Sequence, residues 1–206
     1  LLEYCNFSNS IPRLHFSLIS TRKSVELIRQ AKQNGLPVSC DVAAHQLVFD
    51  DSALMSFDTN FKVNPPFRSA DDVAALWEGL TDGTIDALVS DHHPHDEESK
   101  NLEFDLADFG VISLETAFSA INTYNNAMPL VELVEKLTTQ PRRILRQAQA
   151  RIAVGELANL TVFDPSQEWV VQEKNLRSRS KHSPFLGQTL KGKAIAIIHR
   201  KQVHYA

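Results

Sequence analysis

Between residues 13 and 137 the sequence alternates short apolar runs with segments of helical period. This pattern points to a fold in which parallel strands are joined by helices. "RLHFSLI" at 13–19 is apolar enough for a buried strand. The segment "STRKSVELIRQAKQNG" that follows puts Leu27, Ile28 and Ala31 on one helical face, with Val25 at its edge. Ser20 or Thr21 supplies the N-cap, and Gly35 with Pro37 supplies the stop. "LPVSCDVAA" repeats the strand signal, and "SADDVAALWEGL" opens a second helix. There Ser69 is the cap, Asp71 and Asp72 lie in the first turn, and Val73, Leu76, Trp77 and Leu80 form the inner face. Asp82 and Gly83 turn the chain into "IDALVS".

Helical patterns return at 113–124 (Leu114, Phe118, Ile121), at 129–137 (Leu130, Leu133, Val134, Leu137) and, more briefly, at 141–149. After about Arg151 the character changes. "RIAVGELANLTVFDP", "EWVVQ" and "KAIAIIHRKQVHYA" read as short strands broken by turns, a small β-unit without an amphipathic helix. The expected fold class is therefore α/β with a parallel sheet over 1–150, followed by a β-unit over 151–206.

With 43% hydrophobic residues and a net charge of −4, the chain carries no sequence-wide basic surface for nucleic acid or anionic membrane. No apolar run approaches the ~18 residues of a spanning helix. Cys5 and Cys40 are far apart and form no CxxC, so neither a disulfide framework nor a cysteine zinc knuckle is expected; a cytoplasmic setting is. The chain opens at Leu1 on residues that read as the interior of something longer.

The densest chemistry is "SDHHPHDEESK" at 90–100, just past an apolar strand. In parallel α/β folds ligands bind at the carboxyl ends of strands, where Asp91, His92, His93 and His95 fall. An aspartate there can ligate a divalent metal and take a proton from water, or it can simply cap a hydrated turn. "KVNPPFR" at 62–68 is a rigid turn, and it holds Asn64 for an amide and Arg68 for a carboxylate. His15 and His45, inside or just after apolar strands, read as packed or hydrogen-bonded residues. The acidic "DEES" reads as a solvated edge. There is no GxSxG, GxGxxG or P-loop.

In order, these segments resemble dihydroorotase of the long bacterial type, in the amidohydrolase superfamily. "LHFSLISTRKSVELIRQAK" is similar to its His-x-x-His-x-Ser-Thr segment, "CDVAAHQLVF" to "EVTPHHLLL", "KVNPPFR" to "NPPLR", and "GTIDALVSDHHPHDEESK" to "GxIDxIATDHAPH…EK". "FG" at 109–110 matches the pair after that signature, and "GELANLTVFDP" the strand entering the small β-domain. The resemblance implies the C-terminal part of a (β/α)8 barrel, since a whole one needs ~250 residues, then a small β-sandwich portion. It also implies zinc and the reversible hydrolysis of the cyclic amide dihydroorotate to carbamoyl aspartate in pyrimidine synthesis.

Carried over by position, Asp91 is the catalytic aspartate and a metal ligand. Asn64, His95, Phe109 and Gly110 are substrate contacts, the last two through backbone. A homo-oligomer and association with aspartate transcarbamoylase are also implied. Leu18 stands where the motif's second, metal-binding histidine belongs, and the family's His-x-His pair and bridging carboxylate or lysine have no counterpart in this sequence. Two other readings stay open: a non-catalytic homologue serving as a scaffold, and another cyclic-amide hydrolase such as an allantoinase or dihydropyrimidinase.

Overall fold

The computed structural model describes residues 12–126 and 128–205; Cys5 lies outside them. The expected alternation is realised as three adjacent parallel strands, β1 (Leu14–Phe16), β2 (Val38–Ala43) and β3 (Ala87–Val89), with Phe16 opposite Cys40 and Ala43 opposite Val89. Helix α1 (Arg22–Gln33) joins β1 to β2, and α2 (Ala70–Thr81) precedes β3. Because the strands run the same way, the loops that follow them leave from one edge of the sheet.

The helix starts follow local chemistry. Thr21, not Ser20, caps α1, its hydroxyl accepting the Ser24 amide at 3.1 Å. Helix α1 buries Val25, Ile28 and Ala31, whereas Leu27, expected on that face, is 54% exposed. A helix turns about 100° per residue, so a buried row centred on 25, 28 and 31 swings Leu27 outward. Ser69 caps α2 by accepting the Asp72 amide at 3.3 Å. Replacing Ser69 by alanine should lower stability by about 1 kcal/mol, read as a shift in urea midpoint, while Ser69→Asp should cost far less.

Val25 and Ile28, Leu76 and Leu80, and Val42 and Leu88 form one core between the helices and the sheet. A methyl group at Gly79 would lie 2.9 Å from Val25 Cγ1, so this glycine sets how closely the two helices approach. Helices α4 (Ala117–Tyr124), α5 (Leu130–Leu137) and α6 (Thr139–Ile144) follow a single turn, α3 (Glu97–Lys100). Leu114 precedes α4 and is 66% exposed rather than on an inner face. The last helix ends at Ile144 rather than near 149, with Arg146 in the left-handed region (φ 54°).

The β-unit is one antiparallel sheet, β4 (Asn159–Val170), β5 (Thr189–His199) and β6 (Gln202–Tyr205). Its first two expected strands are a single strand. "EWVVQ" continues β4 past irregular pairing between Asp164 and Glu168, and Gly155 at φ 89° turns the chain before the strand begins. The sheet leans on α4: the Ser119 hydroxyl donates to the Gly192 carbonyl, and the Asn122 amide donates to Pro165 O at 2.9 Å. A second core of Ile112, Ala120, Val171, Phe185 and Leu190 fills this junction. Among the described residues no helix is long and apolar enough to cross a membrane.

Candidate functional site

The carboxyl ends of β1, β2 and β3 carry Leu18, His45 and Asp91, each two residues past its strand. Asp91 sits in the left-handed region (φ 50°), which aspartate tolerates better than most residues, and its side chain is only 7% exposed. Oδ1 of Asp91 is 3.0 Å from Nε2 of His93, and Oδ2 is 3.6 Å from Nε2 of His45. Burial pushes the Asp91 carboxyl above its ordinary pKa, against the attraction of His93; nearby Asp41 adds to the rise.

By its place in the sequence His45 reads as a packed or hydrogen-bonded histidine. It is fully buried, edge-on to Phe67 at 5.7 Å, and neither of its ring nitrogens has a hydrogen-bond partner. Burial, and then the like charge of His93, lower its pKa to about 4, so at neutral pH it is an uncharged imidazole, its Nε2 beside the Asp91 carboxylate. A buried polar group without a partner is uncommon and calls for a physical explanation. His15 is the other case: its ring meets Ser39 Oγ and Asp41 Oδ2, both at 2.8 Å, but it lies at an exposed edge rather than in the core.

Asp41 also explains why β1 stops at Phe16. Its buried carboxylate takes the Ser17 hydroxyl and, at 2.7 Å, the Leu18 amide, and these bonds pull 17–19 out of the strand into a turn with Leu18 at φ 56°. That conformation is unfavourable for a bulky apolar residue and easier for Asn, Asp or His.

The other expected site residues gather around a strip at 108–111. The Phe109 carbonyl meets His95 Nε2 at 2.9 Å, the Gly110 amide donates to Lys62 O at 2.9 Å, and the His93 amide donates to Val111 O at 2.9 Å. Gly110 (φ 129°) is required here, since a Cβ would lie 2.6 Å from that of His93 and 3.1 Å from His95 Nε2. Asp91, His93, Gly110, Phe109 and His95 are thus linked in an unbroken series of contacts. Asn64, two residues beyond Lys62, is exposed, and its turn is tied down by the buried Gln46, which donates to Pro65 O at 2.6 Å. Arg68 donates to Ser20 Oγ at 3.3 Å. An open cleft of about 690 Å³ reaches His95 from the side of Asn60, Asp96 and His182. Asp91 and His45 do not line it, so it adjoins their site rather than containing it.

Zinc requires at least three protein donors even at a catalytic site. His45 and Asp91 offer two on one wall, Leu18 offers none, and among the described residues no group of three His, Cys, Asp or Glu side chains converges. These residues alone do not fit a resident zinc ion.

Relatives share this arrangement of strands and loops. The chain is 42% identical to a dihydroorotase of Thermoanaerobacter sp. over 94% of its own length and 45% of that relative. It superposes on the L-hydantoinase (dihydropyrimidinase) of Arthrobacter aurescens with a TM-score of 0.85 at 31% identity, over 93% of this chain and 44% of that one. The inactive dihydroorotase-like domain of a CAD-like multifunctional protein from Chaetomium thermophilum shares the fold at a TM-score of 0.68 and 21% identity, over 93% and 50%. The chain spans about half the length of the curated relatives it matches. The sequence model of the amidohydrolase family matches residues 13–194, a span that takes in all three site loops and most of the β-unit, and the chain belongs to that family.

Proposed function

We propose that the whole protein is a dihydroorotase-type amidohydrolase, opening the cyclic amide dihydroorotate to carbamoyl aspartate, and the reverse, in pyrimidine synthesis. The observation that carries this reading is the buried Asp91 carboxylate beside an unpartnered neutral His45, at the mouth of a parallel sheet and linked through His93 to the 108–111 strip. In this reading residues 1–150 are part of a (β/α)8 barrel, and the antiparallel sheet of 151–206 belongs to a small β-sandwich.

Hydrolysis adds water across the ring amide: the water oxygen bonds to the carbonyl carbon, the C–N bond breaks, and a proton moves from the water to the leaving nitrogen. Asp91 carries that proton. Its raised pKa brings it nearer to the neutral range in which a carboxyl can both accept and return a proton. His93, 3.0 Å from Oδ1, steadies the charged form. Asn64, His95 and the Phe109–Gly110 backbone orient the amide and the substrate carboxylate. A zinc ion bound there would polarise the carbonyl; of the described residues His45 and Asp91 could offer it two donors, too few to hold it by themselves.

Relative turnover of dihydroorotate, allantoin and a hydantoin by the full-length protein tests the assignment. Dihydroorotate should be preferred, and preference for either of the others would replace the substrate.

Leu18 favours a second reading, a non-catalytic homologue that keeps the fold as a scaffold, with aspartate transcarbamoylase as the partner. If one lost donor disables the centre, Leu18→His should raise zinc per chain in the full-length protein, since histidine also suits the φ of 56°. Zinc content that does not change would show that position 18 is not the missing ligand.

A further inference from the structure

Lys100 is the one charged residue of the described chain with no exposed surface at all. An ammonium group has three N–H donors and no acceptor, and here each donor is used. Nζ lies 2.7 Å from Thr59 O, 3.0 Å from Asp108 O and 2.9 Å from Gly110 O. Burying a charge without such partners is costly, so this set of three bonds is what keeps the lysine inside. Its pKa, lowered to about 8 by burial and by the like charge of Lys62, leaves it protonated at neutral pH.

The three carbonyls belong to two segments that have no strand pairing of their own, the turn at 59–62 and the strip at 108–110. Those segments also meet through the Gly110 amide on Lys62 O, the packing of Lys62 Nζ over the Phe109 ring at 4.6 Å and, at the edge of the strip, the packing of Phe61 with Val111. The strip in turn presents Phe109 O to His95, and its Gly110 backbone packs against His93.

We propose that Lys100 is the positioning residue of this site: its ammonium locks the 108–110 backbone against the 59–62 turn and so fixes where the Phe109 and Gly110 backbone and the His95 ring meet a ligand. The ligand half of this inference rests on the cyclic-amide reading above. The ordering half does not.

The experiment uses the full-length protein as wild type, Lys100→Gln and Lys100→Met, which leave three, two and no N–H donors at the site. Amide hydrogen exchange is read at His93 and Gly110 and, as an internal control, at Val42 in β2. Affinity for dihydroorotate and carbamoyl aspartate is measured on the same samples. Lys100→Met should speed exchange at Gly110 and His93 by about tenfold or more, because buried carbonyls lose their partners. Val42 should stay protected, both ligands should bind about tenfold more weakly, and Lys100→Gln should fall between. If the methionine variant does not fold, the same comparison is read on the glutamine variant.

Unchanged exchange at Gly110 and His93, or an equal increase at Val42, would overturn the proposal, the latter by showing that Lys100 supports the whole fold rather than the strip. Wild-type protein that binds neither ligand would sink the substrate reading, while the exchange data would still decide whether Lys100 orders the strip.

Discussion

Asp91→Asn should reduce dihydroorotate turnover by about 10²- to 10⁴-fold, the range a positioned proton carrier contributes, without unfolding the protein. Asparagine is the informative replacement because it tolerates the left-handed backbone that Asp91 adopts at φ 50° and keeps the side chain's volume. It cannot accept a proton in the working range and can be only a weak metal donor. Alanine would mix the chemical loss with backbone strain. The check is a pair of measurements on one preparation, steady-state turnover and a thermal melt. A folded Asp91→Asn protein with wild-type turnover would remove Asp91 from the chemistry and leave it a structural cap.

The second large effect is a pH dependence of stability centred on His45. Its pKa is lowered from 6.5 to about 4 by burial and then by the charge of His93, so the native state refuses a proton that the unfolded chain accepts below about pH 6.5. The unfolded state therefore binds more protons between pH 6.5 and 4. Stability rises with pH across that window and, as far as His45 is concerned, is level above it. The whole window amounts to about 3 kcal/mol. Asp91 acts the other way: its raised native pKa makes the carboxylate costly, so its contribution declines as pH rises from its ordinary value of 3.8 towards the raised one.

Comparison with His45→Gln in chelator-treated protein isolates the histidine. Between pH 7 and pH 5 the wild type should lose roughly 2 kcal/mol more than the variant in urea unfolding. Parallel losses would mean that His45 is not held neutral in the native state.

Much of this arrangement is legible in the sequence, and the parts that are not share a cause. Parallel strands with helices between them follow from apolar runs alternating with helical period, and Ser69 and Thr21 announce their helices because capping is decided within three residues. Asp91 is legible because it ends an apolar run at a place where α/β folds bind ligands. His45 is not: a single histidine after an apolar strand looks the same whether it packs against a ring or faces a carboxylate. Only the pairing of Ala43 with Val89 brings it level with Asp91.

Lys100 is hidden in the same way. Within "DEESK" the acidic residues do form a solvated turn, with Asp96 capping Ser99 at 2.8 Å. The lysine at the end of that turn is buried only because segments some 40 and 10 residues away converge on it. Leu27 and Leu114 went the opposite way, apolar residues turned outward because the buried stripe is set by the packing partner and not by the sequence pattern alone.

The central claim, a cyclic-amide hydrolase site built on Asp91, is met most directly by measuring zinc content and dihydroorotate hydrolysis on one sample of the full-length protein. Turnover of dihydroorotate, with zinc bound in the same sample, is the result this account predicts. A folded protein that holds no zinc and turns over neither dihydroorotate nor carbamoyl aspartate would contradict it, and would leave the scaffold reading that Leu18 favours.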